Sequence, residues 1–232
     1  LNMNIPKLEE MLKAGMHFGH RTNRWHPKME PFIFTKKNGI YIINIEKTQE
    51  QLKNALEYMI KLKQEDKIIL FVGTKKQVKS KMKEMAEAVK SPYIVGKWLG
   101  GLLTNFFVIK KSIKKYQDLL ADKESGRLAK YTKKEQLDFD RETKRLEERV
   151  GGLTALTRLP DAIFIWDLKE EKTAVEEATA KNIPIIAVCD TNVNPELAKF
   201  PIPANDDATK TVTLLLDCIK DNLSNAKNIK LS

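Results

Sequence analysis

Three short runs of consecutive apolar residues stand out in this chain of 232 residues. They cover residues 68–72, 162–166 and 185–189, and each run is continuous rather than alternating. Continuous runs rich in β-branched residues are typical of strands that are buried on both faces, as in a parallel sheet. The pattern therefore predicts a sheet whose strands are mostly parallel.

Helical patterns lie between and after these runs. Apolar residues recur there at the spacing i, i+3, i+4 and i+7, which places them on one face of a helix. The stripes are Leu52, Ala55, Leu56, Met59 and Ile60; Val78, Met82, Met85, Ala86 and Val89; and Val212, Leu215, Leu216 and Ile219. Strands that alternate with helices predict right-handed βαβ units and an α/β fold with helices on both faces of the sheet.

A β-hairpin is predicted near the start of the chain. Apolar residues 32–34 and 40–43 flank a polar stretch that ends in Asn38-Gly39. An Asn-Gly pair between two apolar segments is a strong signal for a tight hairpin turn.

The segment 106–149 has a different pattern, because it is helical, heavily charged and poor in apolar residues. Ser125-Gly126 marks a break between two helices, and Thr132 with Glu135 fits a capping box at the start of the second. We predict a projecting antiparallel helical hairpin. Its expected seam consists of Ile109, Ile113, Tyr116, Leu120, Leu137, Leu146 and Val150. The α/β core is then expected at residues 1–105 and 150–225, with a C-terminal tail at 226–232.

The charge is polarised along the chain, whose formal net charge is +10. Residues 1–150 hold 32 Lys and Arg against 19 Asp and Glu, whereas residues 151–232 hold 9 against 12. A basic first part and a mildly acidic remainder favour a polyanion on one side of the molecule. Many of the lysines could equally form solvated helix faces, so charge alone leaves both interpretations open.

Residues 14–29 hold all three histidines of the chain, and Phe18 and Trp25 accompany them. Arg21, Arg24 and Lys28 add cations that pair with phosphate, and flat rings stack on unpaired bases. The segment therefore favours a nucleic-acid surface. One alternative is a metal site at His17-x-x-His20-x5-His26, although no cysteine or carboxylate lies in the window. Another is a capped turn in which Phe18 and Trp25 are core anchors.

No enzyme motif accompanies the α/β pattern. Gly73-Thr-Lys-Lys76 follows a strand and opens a helix, where an anion could sit, but it lacks the spacing of a phosphate-binding loop. Asp190-Thr-Asn192 is expected to be a turn. We expect Asn205-Asp-Asp207 to be a helix N-cap with acidic first-turn residues rather than a Mg²⁺ site. We predict no catalytic residue, no metal and no cofactor.

The two cysteines, Cys189 and Cys218, are far apart in the sequence and predict buried thiols in a reducing compartment, with a disulfide between them left open. Neither a secretory signal nor an apolar run of about 20 residues is visible, which predicts a soluble, cytoplasmic protein.

Six stretches together resemble a known family, that of ribosomal protein two of the small subunit, bacterial type. They follow the family's order and span about residues 5–222. The stretches lie at residues 12–20, 25–29, 69–76, 98–105, 159–162 and 202–207. The chain is therefore identified as a member of this family.

The resemblance implies a flavodoxin-like, Rossmann-like three-layer sandwich with an inserted coiled-coil hairpin and no catalysis. It also implies binding to small-subunit ribosomal RNA, contacts with neighbouring subunit proteins, and docking of the multi-domain protein one. Its motifs carry over RNA-facing roles to His17, His20, Trp25, Lys28, Lys75, Lys76, Trp98, Thr104 and Asn105. Chemistry adds Arg21, Arg24, Lys110, Lys111, Lys114 and Lys115 to these candidates.

The leading hypothesis is thus a structural RNA-binding protein of the small ribosomal subunit that supports translation. The alternative is a nucleotide- or flavin-dependent enzyme on the same doubly wound fold. A purified protein that carries an absorbing cofactor would favour the enzyme.

Overall fold

A computed structural model describes residues 3–229, apart from the side chain of Ala129. Its strands are β1 (Phe18–Arg21), β2 (Ile33–Lys37), β3 (Ile40–Ile43), β4 (Ile69–Val72), β5 (Tyr93–Ile94), β6 (Ala162–Trp166), β7 (Ile185–Cys189) and β8 (Phe200–Pro203). Its α-helices are α1 (Leu8–Lys13), α2 (Ile45–Gln64), α3 (Lys79–Ala88), α4 (Phe106–Glu124), α5 (Lys133–Val150), α6 (Lys172–Ala180) and α7 (Thr209–Ser224).

The central sheet has five parallel strands in the order β5-β4-β6-β7-β8. This corresponds to the 2-1-3-4-5 order of flavodoxin-like folds, and the direction of winding changes between β4 and β6. The three continuous apolar runs are β4, β6 and β7, so the predicted parallel sheet is confirmed. The pattern missed β5, which has two residues, and β8, whose Pro201 and Pro203 argue against a strand. Prolines are tolerated in β8 because it lies at the edge of the sheet.

Helices cover both faces of this sheet and complete the predicted three layers. On one face Phe71, Phe164 and Trp166 pack against the stripes of α2, α3 and α7, all of which are buried as expected. On the other face Leu70, Ile163 and neighbouring strand residues pack against α6 and the bases of α4 and α5. Two apolar cores therefore lie back to back on a sheet with no exposed face, which explains the continuous runs.

A second, smaller sheet has the antiparallel order β1-β3-β2. The hairpin between β2 and β3 is confirmed, and Asn38 (φ 50°) and Gly39 (φ 77°) both adopt the left-handed conformation that its two-residue turn requires. The sequence pattern missed β1, whose mixture of glycine, histidine and arginine has no strand periodicity.

The helices α4 and α5 pack against each other and are joined through Gly126, which has a positive φ of 70°. Thr132 and Glu135 form the predicted capping box at the start of α5. The seam is buried at Ile113, Tyr116, Leu146 and Val150 and partly buried at Ile109 and Leu120. Leu137 is 49% exposed but lines a groove together with Tyr116 and Leu120, so it lies at the edge of the seam. The supercoiling of a coiled coil stays a prediction.

The expected C-terminal tail begins later than residue 226. Ala226 and Ile229 are buried in the core, and their carbonyls accept hydrogen bonds from Gln64 Nε2 at 2.8 and 2.9 Å. Residues 226–229 therefore belong to the folded part, and residues 230–232 lie outside the described range.

Both cysteines are buried and free, and burial raises the pKa of the Cys218 thiol to about 12. Between residues 3 and 229 no helix combines the length and the apolarity that crossing a membrane requires.

Candidate nucleic-acid interface

The turn after β7 makes two of the hydrogen bonds that fasten the segment of residues 14–29 to the core. The Thr191 hydroxyl accepts a hydrogen bond from the His20 backbone N–H at 2.8 Å, and the Thr191 carbonyl accepts one from His26 N–H at 2.7 Å. A Cβ on Gly19 would lie 2.5 Å from the Thr191 side chain, so this close approach requires glycine. The segment is thus placed over the carboxyl edge of the central sheet.

Two cations of this segment have no acidic partner. Arg21 and Arg24 are exposed, and no carboxylate among residues 3–229 lies within 4.0 Å of either guanidinium. Lys28 is also exposed, but its ammonium lies 2.9 Å from Glu196 Oε1. An ion pair so exposed contributes little and can be exchanged for a phosphate.

The aromatic residues of the segment have different surroundings. Trp25 is half-buried, and its ring centroid lies 5.0 Å from that of Tyr41. Phe18 is 44% exposed, and its ring centroid lies 4.0 Å from that of His17. The interpretation of both rings as core anchors is therefore wrong for Phe18 and half correct for Trp25.

The three histidines do not converge on a common metal. His26 Nδ1 accepts a hydrogen bond from the Lys28 backbone N–H at 3.2 Å, and burial lowers the pKa of His17. Only His20 points to carboxylates: its Nδ1 lies 3.1 Å from Asp190 Oδ1. The hydrogen bond to Asp190 raises the pKa of His20, although burial opposes the shift.

A different group of ligand types does come together. One ligand atom each from His20, Asp190 and Asp206 lie within 4.8 Å of one another, a spacing that could hold a metal ion. A histidine with two carboxylates suits zinc, but the Lys75 ammonium already lies 2.8 Å from Asp206 Oδ2 and would compete with a cation. The expectation that the protein holds no metal stays a prediction.

The predicted N-cap at Asn205–Asp207 is wrong in position. Helix α7 begins at Thr209 without an acidic residue in its first turn. Asn205 Oδ1 instead accepts hydrogen bonds from the backbone N–H groups of Asp207 and Ala208, at 2.9 and 3.1 Å. This turn directs Asp206 inward, where it is fully buried.

Lys75 lies at the centre of a charge cluster rather than on an open surface. Its Nζ is 2.8 Å from Asp167 Oδ2 and Asp206 Oδ2 and 2.9 Å from Asp207 Oδ1. Burial alone would lower the pKa of Lys75, but these carboxylates outweigh it and the pKa is raised. Lys75 is therefore a charged, half-buried residue whose ammonium is already paired with three carboxylates. Lys76, by contrast, is exposed and has no acidic partner within the described chain.

The same cluster changes the acidity of its most buried member. Burial raises the pKa of Asp206, and repulsion from Asp167 and Asp190 adds to the shift, while Lys75 opposes it. Lys75 therefore limits the rise in the pKa of this carboxyl, which still reaches about 7.

The expected anion position after β4 is occupied by the chain itself. The Thr74 backbone N–H donates to Glu171 Oε1 at 2.9 Å, and helix α3 begins only at Lys79. Since this is the point where doubly wound enzymes bind their cofactors, the protein fills its own ligand crevice with internal charges.

The loop of residues 98–105 is organised by one buried carboxylate. Glu177, on α6, accepts hydrogen bonds from Trp98 Nε1 and from the backbone N–H groups of Gly101, Leu103 and Thr104, at 2.8–3.1 Å. The Thr104 hydroxyl adds a fifth bond at 3.0 Å. Burial opposes ionisation, but these hydrogen bonds hold the pKa of Glu177 below its ordinary value.

This carboxylate gives no signal in the sequence, because Glu177 follows another glutamate on an ordinary helix. The indole N–H of Trp98 and the hydroxyl of Thr104 both point to it, so these two predicted site residues shape the loop. Asn105 remains exposed at the N-cap of α4.

The lysines of α4 have different partners. Lys110, Lys111 and Lys114 are exposed and lie within 4.0 Å of no carboxylate in the described part of the chain. Lys115 instead forms an ion pair with Glu142 on α5 at 2.8 Å. Three of the four predicted lysines are therefore available to an anion, and the fourth connects the two helices.

The fold and the site define an α/β scaffold whose usual ligand crevice is filled by internal contacts, with exposed cations on its surface. Residues 11–226 match the sequence profile of ribosomal protein S2, and the chain belongs to this family.

Three relatives show how closely the chain matches. The small ribosomal subunit protein uS2 of Coprothermobacter proteolyticus is 44% identical, over 94% of this chain and 82% of that protein. That of Chloroherpeton thalassium is 45% identical, over 97% and 90%. The protein uS2c of Rhodomonas salina is 42% identical, over 99% and 95%.

The protein is therefore a structural constituent of the small ribosomal subunit and not an enzyme. It associates there with ribosomal RNA and with other subunit proteins. The alternative of a nucleotide- or flavin-dependent enzyme finds no support.

The first prediction concerns Glu177→Gln. The amide turns an N–H₂ group towards backbone N–H donors, so buried donors lose their acceptor at a cost of about 1–3 kcal/mol. We expect urea unfolding to show this loss of stability. The adjacent, exposed Glu176→Gln is the matched control and should stay within about 0.5 kcal/mol of the parent. Equal stability of the two variants would contradict the role of Glu177.

The second prediction concerns His20 in metal-free protein with a chelator present. A raised pKa means that protonated His20 stabilises the fold. This contribution is complete below the unfolded pKa of about 6.5 and is lost as pH rises through the higher folded pKa. We expect NMR titration to place the pKa of His20 above that of His17, and Asp190→Asn to lower it. Asp221→Asn, on exposed α7 surface, is the control. An unchanged His20 pKa in Asp190→Asn would refute the assignment.

Proposed function

We propose that the protein binds small-subunit ribosomal RNA through a surface formed by the segment 14–29, Lys76 and the lysines at the start of α4. The phosphate contacts come from Arg21, Arg24, Lys28, Lys76, Lys110, Lys111 and Lys114. Trp25 provides a partly exposed ring beside the arginines for stacking or shape recognition. This function rests above all on the exposed guanidinium groups of Arg21 and Arg24, which lack any acidic partner between residues 3 and 229.

Other residues predicted to face RNA have a supporting role in this proposal. His20 and Lys75 hold the segment and the sheet edge together through Asp190, Asp167 and Asp206. His17, Trp98, Thr104 and Asn105 shape the adjoining surface, and Lys115 braces the helical hairpin. These side chains position the RNA-contacting groups, and a phosphate reaches Lys75 only by displacing one of its carboxylates.

The third prediction tests the phosphate contacts with Arg24→Ala. Loss of one phosphate contact should lower the slope of log K against log salt by about one unit, without a change in thermal stability. Binding of the full chain to small-subunit ribosomal RNA, measured at several salt concentrations, gives the slope. Lys181→Ala is the control, because exposed Lys181 precedes the amino end of β7, opposite the proposed surface. Equal slopes for Arg24→Ala and Lys181→Ala would rule out the contact.

We further propose that protein one of the subunit docks beside the RNA-binding segment. The supporting observation is an apolar groove of about 320 Å³ lined by Leu8, Leu12, Phe34 and Ile42. Phe34 is 71% exposed and Leu12 48%, and a contiguous exposed apolar patch is typical of a protein contact.

The fourth prediction follows from this groove. Phe34→Ser should lower the amount of protein one per purified small subunit, while the incorporation of the variant itself is unchanged. Leu137→Ser, on the hairpin, removes another exposed apolar side chain and should have no effect. Parent-like levels of protein one in Phe34→Ser subunits would disprove the docking.

A further inference from the structure

The first two turns of α4 carry an exposed aromatic ring among lysines. Phe107 is 68% exposed, and the Lys111 ammonium lies 4.4 Å from the centroid of its ring. The neighbouring Val108 is also exposed, at 49%. A phenyl ring is normally buried for its large apolar area, so one that faces solvent on a helix requires an explanation.

The lysines share one helix face with this ring. Phe107, Lys110, Lys111 and Lys114 stand at i, i+3, i+4 and i+7, which places all four on one stripe. The buried seam of α4, with Ile113 and Tyr116, lies on the opposite face. The stripe is about 10 Å long, at a rise of about 1.5 Å per residue. Asp118, at i+11, ends the run of cations along this face.

The ring is not buried in the protein, and the lysines beside it have no carboxylate partner within the described chain. Phe107 belongs to neither apolar core, and among residues 3–229 the Lys111 ammonium is the one cation that lies over its ring. Lys110 and Lys114 lie within 4.0 Å of no carboxylate in the described chain, whereas Lys115 and Lys123 on the same helix pair with Glu142 and Asp140 at 2.8 Å. The stripe thus differs from the rest of the hairpin, where the lysines facing α5 are neutralised.

The base of α4 is also held in place. The loop before it is anchored by the five hydrogen bonds to Glu177, and Ile113 packs into the core at the second turn. A ring on such a support loses little conformational entropy when a ligand covers it.

We propose that Phe107 is a stacking platform for an unpaired nucleotide of small-subunit ribosomal RNA, with Lys110, Lys111 and Lys114 contacting the adjacent phosphates. This inference rests on the proposed RNA-binding function and assigns a base contact to it. An unpaired nucleotide combines a flat apolar face with a negative charge, which is the complement of a ring surrounded by cations. An apolar protein segment would cover the ring but leave the three ammonium groups without partners.

The experiment compares variants of Phe107 in the full chain, with binding to small-subunit ribosomal RNA measured at several salt concentrations. Phe107→Ala and Phe107→Leu should both bind about 5- to 100-fold more weakly, because stacking is lost and a leucine cannot replace a ring. Phe107→Tyr retains the ring and should bind like the parent. The slope of log K against log salt should be the same in all three, since no phosphate contact changes. Val108→Ala is the control, because it removes a neighbouring exposed apolar side chain from outside the stripe.

The lysine variants separate this proposal from the function on which it rests. Lys110→Ala and Lys114→Ala should each lower the salt slope by about one unit. Parent-like affinity of Phe107→Ala or Phe107→Leu, with a lowered slope in Arg24→Ala, would overturn the stacking platform while the RNA interface stands. A parent protein without salt-dependent affinity for this RNA would overturn both.

A second measurement uses assembled subunits. A photoreactive phenylalanine analogue at position 107 should cross-link to an unpaired nucleotide of the ribosomal RNA. Cross-links confined to a protein of the subunit would overturn the proposal and assign the ring to a protein contact instead.

Discussion

The arrangement depends on one buried charge cluster at the carboxyl edge of the central sheet. Lys75, after β4, is held by Asp167 after β6 and by Asp206 and Asp207 after β8. Breaking a buried ion pair by removal of one partner costs about 3–5 kcal/mol, because the remaining charge stays in a medium of low polarity. The cluster therefore fixes three loops that the strands alone leave free. Asp190 after β7 joins the cluster through His20, and Thr191 beside it fastens the N-terminal segment.

The same cluster explains why a flavodoxin-like fold serves here as a scaffold. In doubly wound proteins the crevice between the first and third strands of the sheet receives the ligand, and here these are β4 and β6. Thr74 N–H and Lys75 occupy that place with Glu171 and Asp167 as internal partners. Charges that would bind a cofactor phosphate in an enzyme thus hold the protein together. In the proposed function the RNA contacts lie beside this crevice instead, which agrees with the general rule that a fold alone does not determine activity.

Two buried polar residues hold the backbone that carries the exposed cations of segment 14–29 and of α4. Thr191 holds the segment that carries Arg21 and Arg24, and Glu177 holds the loop that leads into α4. In both cases a buried polar group satisfies several donors at once, so the exposed side chains project from fixed backbone. Preorganised cations lose less entropy on contact with RNA than cations on a mobile loop. On α4, the lysines that face α5 form ion pairs with its carboxylates. Lys110, Lys111 and Lys114 lie on the other face and have no carboxylate within 4.0 Å in the described chain.

Local patterns in the sequence determined the elements of this protein. The apolar runs of β4, β6 and β7, the helical stripes, the Asn38-Gly39 turn and the Thr132 capping box all appear as predicted, because each depends on residues within about ten positions of one another. The same applies to the family resemblance, which rests on short motifs. The candidate cations at Arg21 and Arg24 could also be named from chemistry alone.

Only the tertiary structure decided which polar residues are partners. Lys75 and Asp207 are 132 residues apart in the chain, and no local pattern connects them. Asp206 is buried rather than capping a helix, Glu177 gathers five donors, and β8 forms in spite of its prolines because it lies at an edge. These outcomes depend on the order of the strands, which brings the carboxyl ends of β4, β6, β7 and β8 together. Burial then makes each unpaired charge costly, so the packed sheet selects the partners that the sequence leaves open.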